Sequence, residues 1–249
     1  MALDEQVFTV LGEPEIASGP FIFSCEHASS STGSHPPDSI EHEILQSHWG
    51  WDIGAAALVE AWVKQTDGLA VLCNLSRLLL DVNRSPESDT LIKTHVEGHE
   101  LSFNKGLTAS IQQKRIRKIH QGFHQGCEQA FAARIQRSVA HLLSIHSFTP
   151  SYGQQDRWME IGIVFDRYED EAKRLAKALK TEGFAVALNE PYSGLGGELM
   201  YSATRHGTTL GVPYLELEIR QDLIGDDAGV NQVAQRIRRA LKVFEPVQT

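Results

Sequence analysis

The chain of 249 residues is 41% apolar and 22% charged, which excludes disordered, fibrous and membrane-embedded classes and fits one enzyme-sized globular domain over residues 1–249. It carries 23 Lys and Arg against 32 Asp and Glu, a formal charge of −9, with no basic run interleaved with aromatics; binding of nucleic acid through phosphate neutralisation is not expected. Its three cysteines, Cys25, Cys73 and Cys127, are far apart and form no CxxC pair, so no disulfide framework is expected and any metal must take nitrogen and oxygen ligands.

Short apolar runs alternate with segments of helical periodicity, the pattern of an α/β protein with a mixed, mostly parallel sheet flanked by helices. Phe21–Cys25 reads as a buried strand after a Ser18-Gly19-Pro20 turn, residues 51–65 as an alanine-rich helix, and residues 69–72 as a second strand. Leu78-Leu79-Leu80 reads as a third strand, ending in Asp81-Val82-Asn83-Arg84. Residues 85–108 show no clear period and read as a long excursion outside the packed core, the kind of loop that is often functional. The pattern is helical with a basic face from Ala109 to Arg137, then reads as a strand from Val139 to Ile145. The second half repeats the alternation: strand 160–165, charged amphipathic helix 169–181, strand 184–188, the glycine-rich PYSGLGGELM, a loop containing His206, strand 212–219 and a closing amphipathic helix 230–244.

Ligands of open α/β sheets bind beyond the carboxyl ends of strands, and three apolar runs end in polar clusters. Glu26-His27 offers a metal-ligand pair or an acid/base pair, or else a strand-end histidine with an ordinary backbone hydrogen bond. His146 has the same form, and two separated strand-end histidines make a zinc-type site more credible than either alone. Asp81-Asn83-Arg84 offers a guanidinium fork for a carboxylate, or a surface ion pair. Glu216 and Glu218, two apart in a strand, share one face; in a central strand they need a metal, an arginine or several donors, and in an edge strand they would be solvated. His120 and His124 are four apart on a helix, a metal-binding spacing that also suits a partly exposed face. The start MALDEQVFTV places acids where a signal peptide carries lysine or arginine, and no stretch approaches the ~18 apolar residues of a membrane span. A soluble, cytoplasmic protein without a membrane partner is expected.

The segments FSCEHAS, HWGWDIGA, SRLLLDVNRS, GFHQG, SIHSFTP, NEPYSG and GVPYLELEIRQDL stand in the order and approximate spacing of the N-formylglutamate amidohydrolase family, which the chain resembles over roughly residues 20–225. That family is similar to the zinc carboxypeptidase and aspartoacylase group. The resemblance implies a single three-layer α/β domain of zinc-carboxypeptidase type (phosphorylase/hydrolase-like) and a divalent metal, usually Zn2+. It also implies a small acidic N-acyl amino acid substrate such as N-formyl-L-glutamate, with a place in histidine degradation. Carried over by position, His27 and His146 resemble metal ligands, Arg84 with Asn83 a clamp for a substrate carboxylate, and Glu218 or Glu216 the general base. Asp52, His124 and Arg220 match further family positions; His124 and Arg220, with His206, are expected to contact substrate. The wider group carries its metal carboxylate three residues after the first histidine, where this chain has Ser30, and Glu26 is expected to serve instead. The polar THVEGHELSFN stretch departs from the family in a region expected to shape the pocket. A related metallohydrolase for other N-acyl amino acids or short peptides is the alternative within the enzyme class. A non-catalytic binder of acidic ligands is the alternative outside it.

Overall fold

The computed structural model describes residues 6–136, 140–197 and 199–245. Strands β1 (Phe8–Leu11) and β2 (Phe21–Cys25) precede helices α1 (Ser39–Gln46) and α2 (Ala55–Thr66), and β3 (Leu69–Cys73) follows. A short hairpin of β4 (His95–Val96) and β5 (His99–Glu100) leads to α3 (Ala109–Arg115), a π-helical turn over Ile116–His120, and α4 (Gln121–Ile135). Next come β6 (His141–Phe148), a second hairpin of β7 (Ser151–Tyr152) and β8 (Gln155–Asp156), and β9 (Ile161–Val164). The chain continues through α5 (Glu169–Thr181), β10 (Val186–Leu188), α6 (Tyr201–Leu210), β11 (Tyr214–Arg220) and α7 (Asp227–Leu241).

One seven-stranded sheet, in the order β1-β3-β2-β6-β11-β9-β10, organises these elements. Its centre, β3-β2-β6-β11, is parallel, whereas β1 runs antiparallel to β3 and β9 antiparallel to β11. Every residue of β2, β3 and β9 is buried, the near-continuous apolar signature of a sheet covered on both faces. Alternation along β2 divides the two cores. Phe21, Phe23 and Cys25 pack with Leu58 and Trp62 of α2, Leu175 of α5 and Ile237 of α7, while Ile22 joins Phe123 and Phe131 of α4 on the other face. The α/β three-layer class expected from the sequence is therefore the observed one. Among the described residues no helix is long and apolar enough to cross a membrane.

Several elements differ from the sequence reading. Leu78–Leu80 is a turn, not a strand: the Ser76 carbonyl and hydroxyl accept the Leu79 and Leu78 amides, and all three leucines plug into the second core. The 85–108 excursion is anchored through buried Leu91, Val96, Leu101 and Phe103. His206 lies on a helix, because the buried period of α6 is carried by Ser202, Ala203, His206 and Gly207 rather than by large apolar residues. Gly207 is required there, since a Cβ would stand 2.2 Å from the Tyr214 ring. Strand β6 extends to Phe148, so His146 lies within it. Arg137, Val139 and Glu198, which the sequence reading assigned to segments, lie outside the described residues.

Candidate active site

The parallel run β2-β6-β11 brings three carboxyl ends together, where open α/β sheets bind ligands. Glu26 and His27 follow β2 directly, and register pairs His146 with Glu218 and Ser144 with Glu216 across β6 and β11. Asp52 arrives from the segment before α2, tied down by its amide, which donates to the His27 carbonyl at 2.9 Å. His27 Nδ1 and His146 Nδ1 are 3.1 Å apart, and Asp52 Oδ2 is 2.8 Å from His146 Nδ1 and 3.4 Å from His27 Nδ1. All three residues are buried and form a cluster whose donor atoms lie within 4.8 Å of one another.

Groups behind the cluster orient it. His27 Nε2 donates to Asp81 Oδ1 at 2.7 Å, leaving the Nδ1 lone pair on the cluster side. His146 Nε2 faces Ser144 Oγ at 3.0 Å and Glu26 Oε2 at 3.2 Å, and Ser144 Oγ donates to the same Glu26 oxygen at 2.8 Å. Arg77 forms an ion pair with the other oxygen of Asp52. Carboxylates that fix ring tautomers are the usual support of metal-ligating histidines. The fit to a divalent ion is good: two imidazole nitrogens and one carboxylate oxygen converge, and vertices of a tetrahedron centred ~2.0–2.2 Å away would be about 3.3–3.6 Å apart.

Burial and the Arg77 charge push the His27 pKa down to about 4, so the ring is neutral. Burial opposes charge on Asp81 too, but the His27 ring and the Arg84 and Arg77 guanidiniums hold it well below the usual carboxylate range. Against its own burial, His146 is raised to about 9 by Glu216, Glu26 and Glu218, and it in turn draws the buried Glu26 down to about 2. These carboxylates favour a cation at their centre. Glu216 is raised to about 7 by burial and then by Glu218, with His146 opposing; burial also raises Glu218. Glu218 Oε2 is buried without a hydrogen-bond partner among the described residues.

The cluster opens into a pocket of about 320 Å³ whose walls include Glu216, Glu218, Arg84, Lys93, Arg157 and Tyr192. Asn83 orients the interior: its Nδ2 donates to the Leu199 carbonyl at 3.0 Å and faces Glu216 Oε2 at 3.4 Å. The Arg157 guanidinium lies 5.4–5.5 Å from the rings of Phe148, Tyr152 and Tyr192 and donates to Thr149. Among the described residues no carboxylate forms an ion pair with Lys93 or Arg157.

Of the residues read from the sequence, His27, His146, Asn83, Arg84, Glu216 and Glu218 meet at this pocket. Four others do not. Glu26 sits on the Nε2 side of His146, opposite the Nδ1 that faces the cluster, so Asp52 and not Glu26 is the carboxylate beside both histidines. His124 and His206 are buried against each other behind the pocket, Nδ1 to Nε2 at 2.8 Å. They and His120 are buried rather than on an exposed helix face, and among the described residues none of the three joins a metal-type cluster with carboxylates. Arg220 turns away to the Arg157 and Met159 carbonyls and to Asp222. Arg77, Lys93 and Arg157 were missed. Arg77 stands at the head of the same SRLLLDVNRS segment that carries Arg84, which is the one signal that could have found it.

Carboxylates raised toward neutrality stand beside a convergent set of metal-type donors in this cleft, at the carboxyl ends of the parallel strands of a mixed seven-stranded sheet. A family model described as N-formylglutamate amidohydrolase matches residues 19–225, and the chain belongs to that family. It is an amidohydrolase of small molecules. Among solved structures it is similar to a gene product of Agrobacterium tumefaciens, with 27% identity over 97% of each chain and a TM-score of 0.80. It shares the fold of N-formylglutamate amidohydrolase from Ralstonia eutropha at 17% identity, over 96% of this chain and 97% of that one, with a TM-score of 0.73. No curated protein sequence matches the chain significantly.

Proposed function

We propose that the protein is a metal-dependent hydrolase that cleaves the amide bond of a small acidic N-acyl amino acid, with N-formyl-L-glutamate as its first candidate. The observation that carries this reading is the convergence of His27 Nδ1, His146 Nδ1 and Asp52 Oδ2 beside two buried carboxylates. These three atoms would hold the divalent ion, which zinc's preference for nitrogen and carboxylate donors favours. A zinc ion there would supply Lewis acidity, lowering the pKa of water from ~15.7 toward ~7 and polarising the amide carbonyl.

The remaining work falls to the chain's own side chains. Glu218, with an unpartnered oxygen at the pocket and a raised pKa, is the better placed base: it takes a proton from water and returns it to the nitrogen of the breaking C–N bond. Glu216 is held by Asn83 and faces His146 Nε2 at 3.5 Å, which suits it to maintaining charge around that ring. Arg84 receives the α-carboxylate of the substrate, and Lys93 and Arg157 offer cationic contacts for a second carboxylate. The overall charge of −9 does not prevent this, because cations in a pocket act locally.

Metal analysis of the purified protein, combined with turnover of N-formyl-L-glutamate, its N-acetyl analogue and short peptides, tests the reading. Stoichiometric zinc and fastest turnover of the formyl compound are expected. Protein that takes up no divalent ion and hydrolyses none of the panel would overturn it, whereas preference for an acetyl compound would leave the reaction and change the substrate.

A further inference from the structure

His120, His124 and His206 are buried behind the pocket, and the proposed reaction gives them no task. His120 and His124 bear directly on the turn Asp81–Arg84, and His206 does so through His124; the turn belongs to no strand or helix and so has no ladder to satisfy its carbonyls. Side chains of this turn serve the site: Asp81 accepts from His27 and Asn83 meets Glu216. The Val82 and Arg84 carbonyls instead meet the helical histidines. A carbonyl only accepts, so His124 donates its Nε2–H to Val82 O at 3.0 Å and His120 donates its Nε2–H to Arg84 O at 2.9 Å.

Burial holds His124 well below its usual pKa, with His206 and His120 adding to the effect. The ring is neutral and has one N–H, already given to Val82. Its Nδ1 is therefore the acceptor, and His206 donates Nε2–H to it at 2.8 Å. From α6, Ser202 adds its hydroxyl to Val82 O at 3.3 Å and its amide to Asn83 Oδ1 at 3.0 Å. The π-helical turn Ile116–His120 runs directly into α4, and such turns recur at functional sites. His120 and His124, four residues apart, thereby face one segment together.

We propose that His124 and His120 are positioning residues of the hydrolytic centre, with His206 fixing the ring of His124: together they hold the Asp81–Arg84 turn so that Asp81 stays on His27 and Arg84 stays at the pocket. This inference rests on the hydrolase reading and adds residues that touch neither substrate nor metal. A shift of about 1 Å in a supporting element can cost ~10²-fold in rate, and loss of a group behind a metal ligand typically costs ~10–100-fold in metal affinity or activity.

The test compares His124→Leu, His124→Gln and His120→Leu with wild type in four readings. These are the melting temperature, zinc affinity by competition with a chromophoric chelator, kcat and KM for N-formyl-L-glutamate, and amide hydrogen exchange at Asn83 and Arg84. Both of those amides donate to Asp81. His124→Leu is expected to lower zinc affinity and kcat by about 10–100-fold and to speed exchange at 83 and 84. His124→Gln, whose amide supplies both a donor and an acceptor, should recover most of each. His120→Leu should act through Arg84, raising KM by about 10-fold with kcat nearly unchanged. A folded His124→Leu protein with a lower melting temperature but wild-type zinc affinity and kcat would make these histidines merely structural and overturn the proposal. If that variant does not fold, the other two decide: a folded His124→Gln protein whose zinc affinity and kcat are both lowered about 10-fold or more, or a His120→Leu protein with wild-type KM, would overturn it equally. Wild-type protein that neither binds zinc nor turns over substrate would sink the hydrolase reading instead, while unchanged exchange at 83 and 84 would sink this inference by itself.

Discussion

In one part of the pocket His27, His146, Glu216 and Glu218 sit on or directly after strands, each 5% exposed or less. In another, Arg84, Lys93, Arg157 and Tyr192 come from turns, loops and hairpin ends, and the ring Tyr152 that mounts Arg157 is 60% exposed. The strand-borne groups inherit their spacing from the ladder: parallel register sets His146 beside Glu218 whatever the loops do. The loop-borne groups inherit theirs from stacking and a few hydrogen bonds, which yield more easily. The strand-borne region is thus suited to chemistry, which needs fixed distances, and the loop-borne region to selecting among related substrates.

Substitutions sharpen this contrast. His27→Ala deletes a cluster nitrogen from the strand-borne region and should abolish zinc binding and reduce kcat/KM by several kcal/mol, about 10³-fold or more; retained zinc with near-normal turnover would remove His27 from the centre. Glu218→Gln keeps shape and removes the proposed base, so kcat should fall ~10²–10⁴-fold with zinc content intact. A loss confined to KM would move Glu218 from the chemistry to the substrate contacts. Arg157→Met leaves an apolar stem among the three rings and removes one charge from the loop-borne region. KM for N-formyl-L-glutamate should rise about 10–100-fold, and kcat should hold. KM for N-formyl-L-glutamine should change little; equal losses on both compounds would mean that Arg157 supports the pocket instead of reading the second carboxylate.

The same contrast governs what could be read from the sequence. Strands β2 and β9 and helix α5 were legible because both-face burial writes continuous apolar runs and one-face burial writes a 3.6-residue period. Helix α6 was not, since its buried face is built from small and polar residues that fit against Tyr214 and the Val82 carbonyl. That His27, His146, Glu216 and Glu218 come together at one end of the sheet was legible, because strand ends and the two-residue alternation give position from sequence alone. Asp52 came from the family pattern without a role: which carboxylate joins two histidines depends on which ring nitrogen faces it, and spacing along the chain says nothing of that. Glu26 was misassigned for the same reason. Arg157 and Lys93 reach the pocket through loop paths that no period encodes, and the four-residue spacing of His120 and His124 marks a face without saying what covers it.

The smallest expected effect tests whether the strand-borne region gives up stability for its chemistry. Burial, and then Glu218, raise the Glu216 pKa from 4.5 to about 7 even though His146 opposes the shift. Between those values the native state binds a proton that the unfolded chain has released. The slope of unfolding free energy with pH is then negative for this group, and stability falls as pH rises through the window. Above about pH 7 both states are ionised and the penalty is constant. Glu216→Gln removes the titration, so the metal-stripped variant should melt above metal-stripped wild type by a few degrees, at roughly 2–4 °C per kcal/mol. The gap should open between pH 4.5 and 7 and stay level beyond. Arg157→Met, in the loop-borne region, should show no such pH-dependent gap, because surface changes of this kind fall within about 0.5 kcal/mol. A Glu216→Gln gap that is flat with pH, or of opposite sign, would mean that the pairing of Glu216 with His146 outweighs its burial, and that the strand-borne site is held together by its charges and not strained by them.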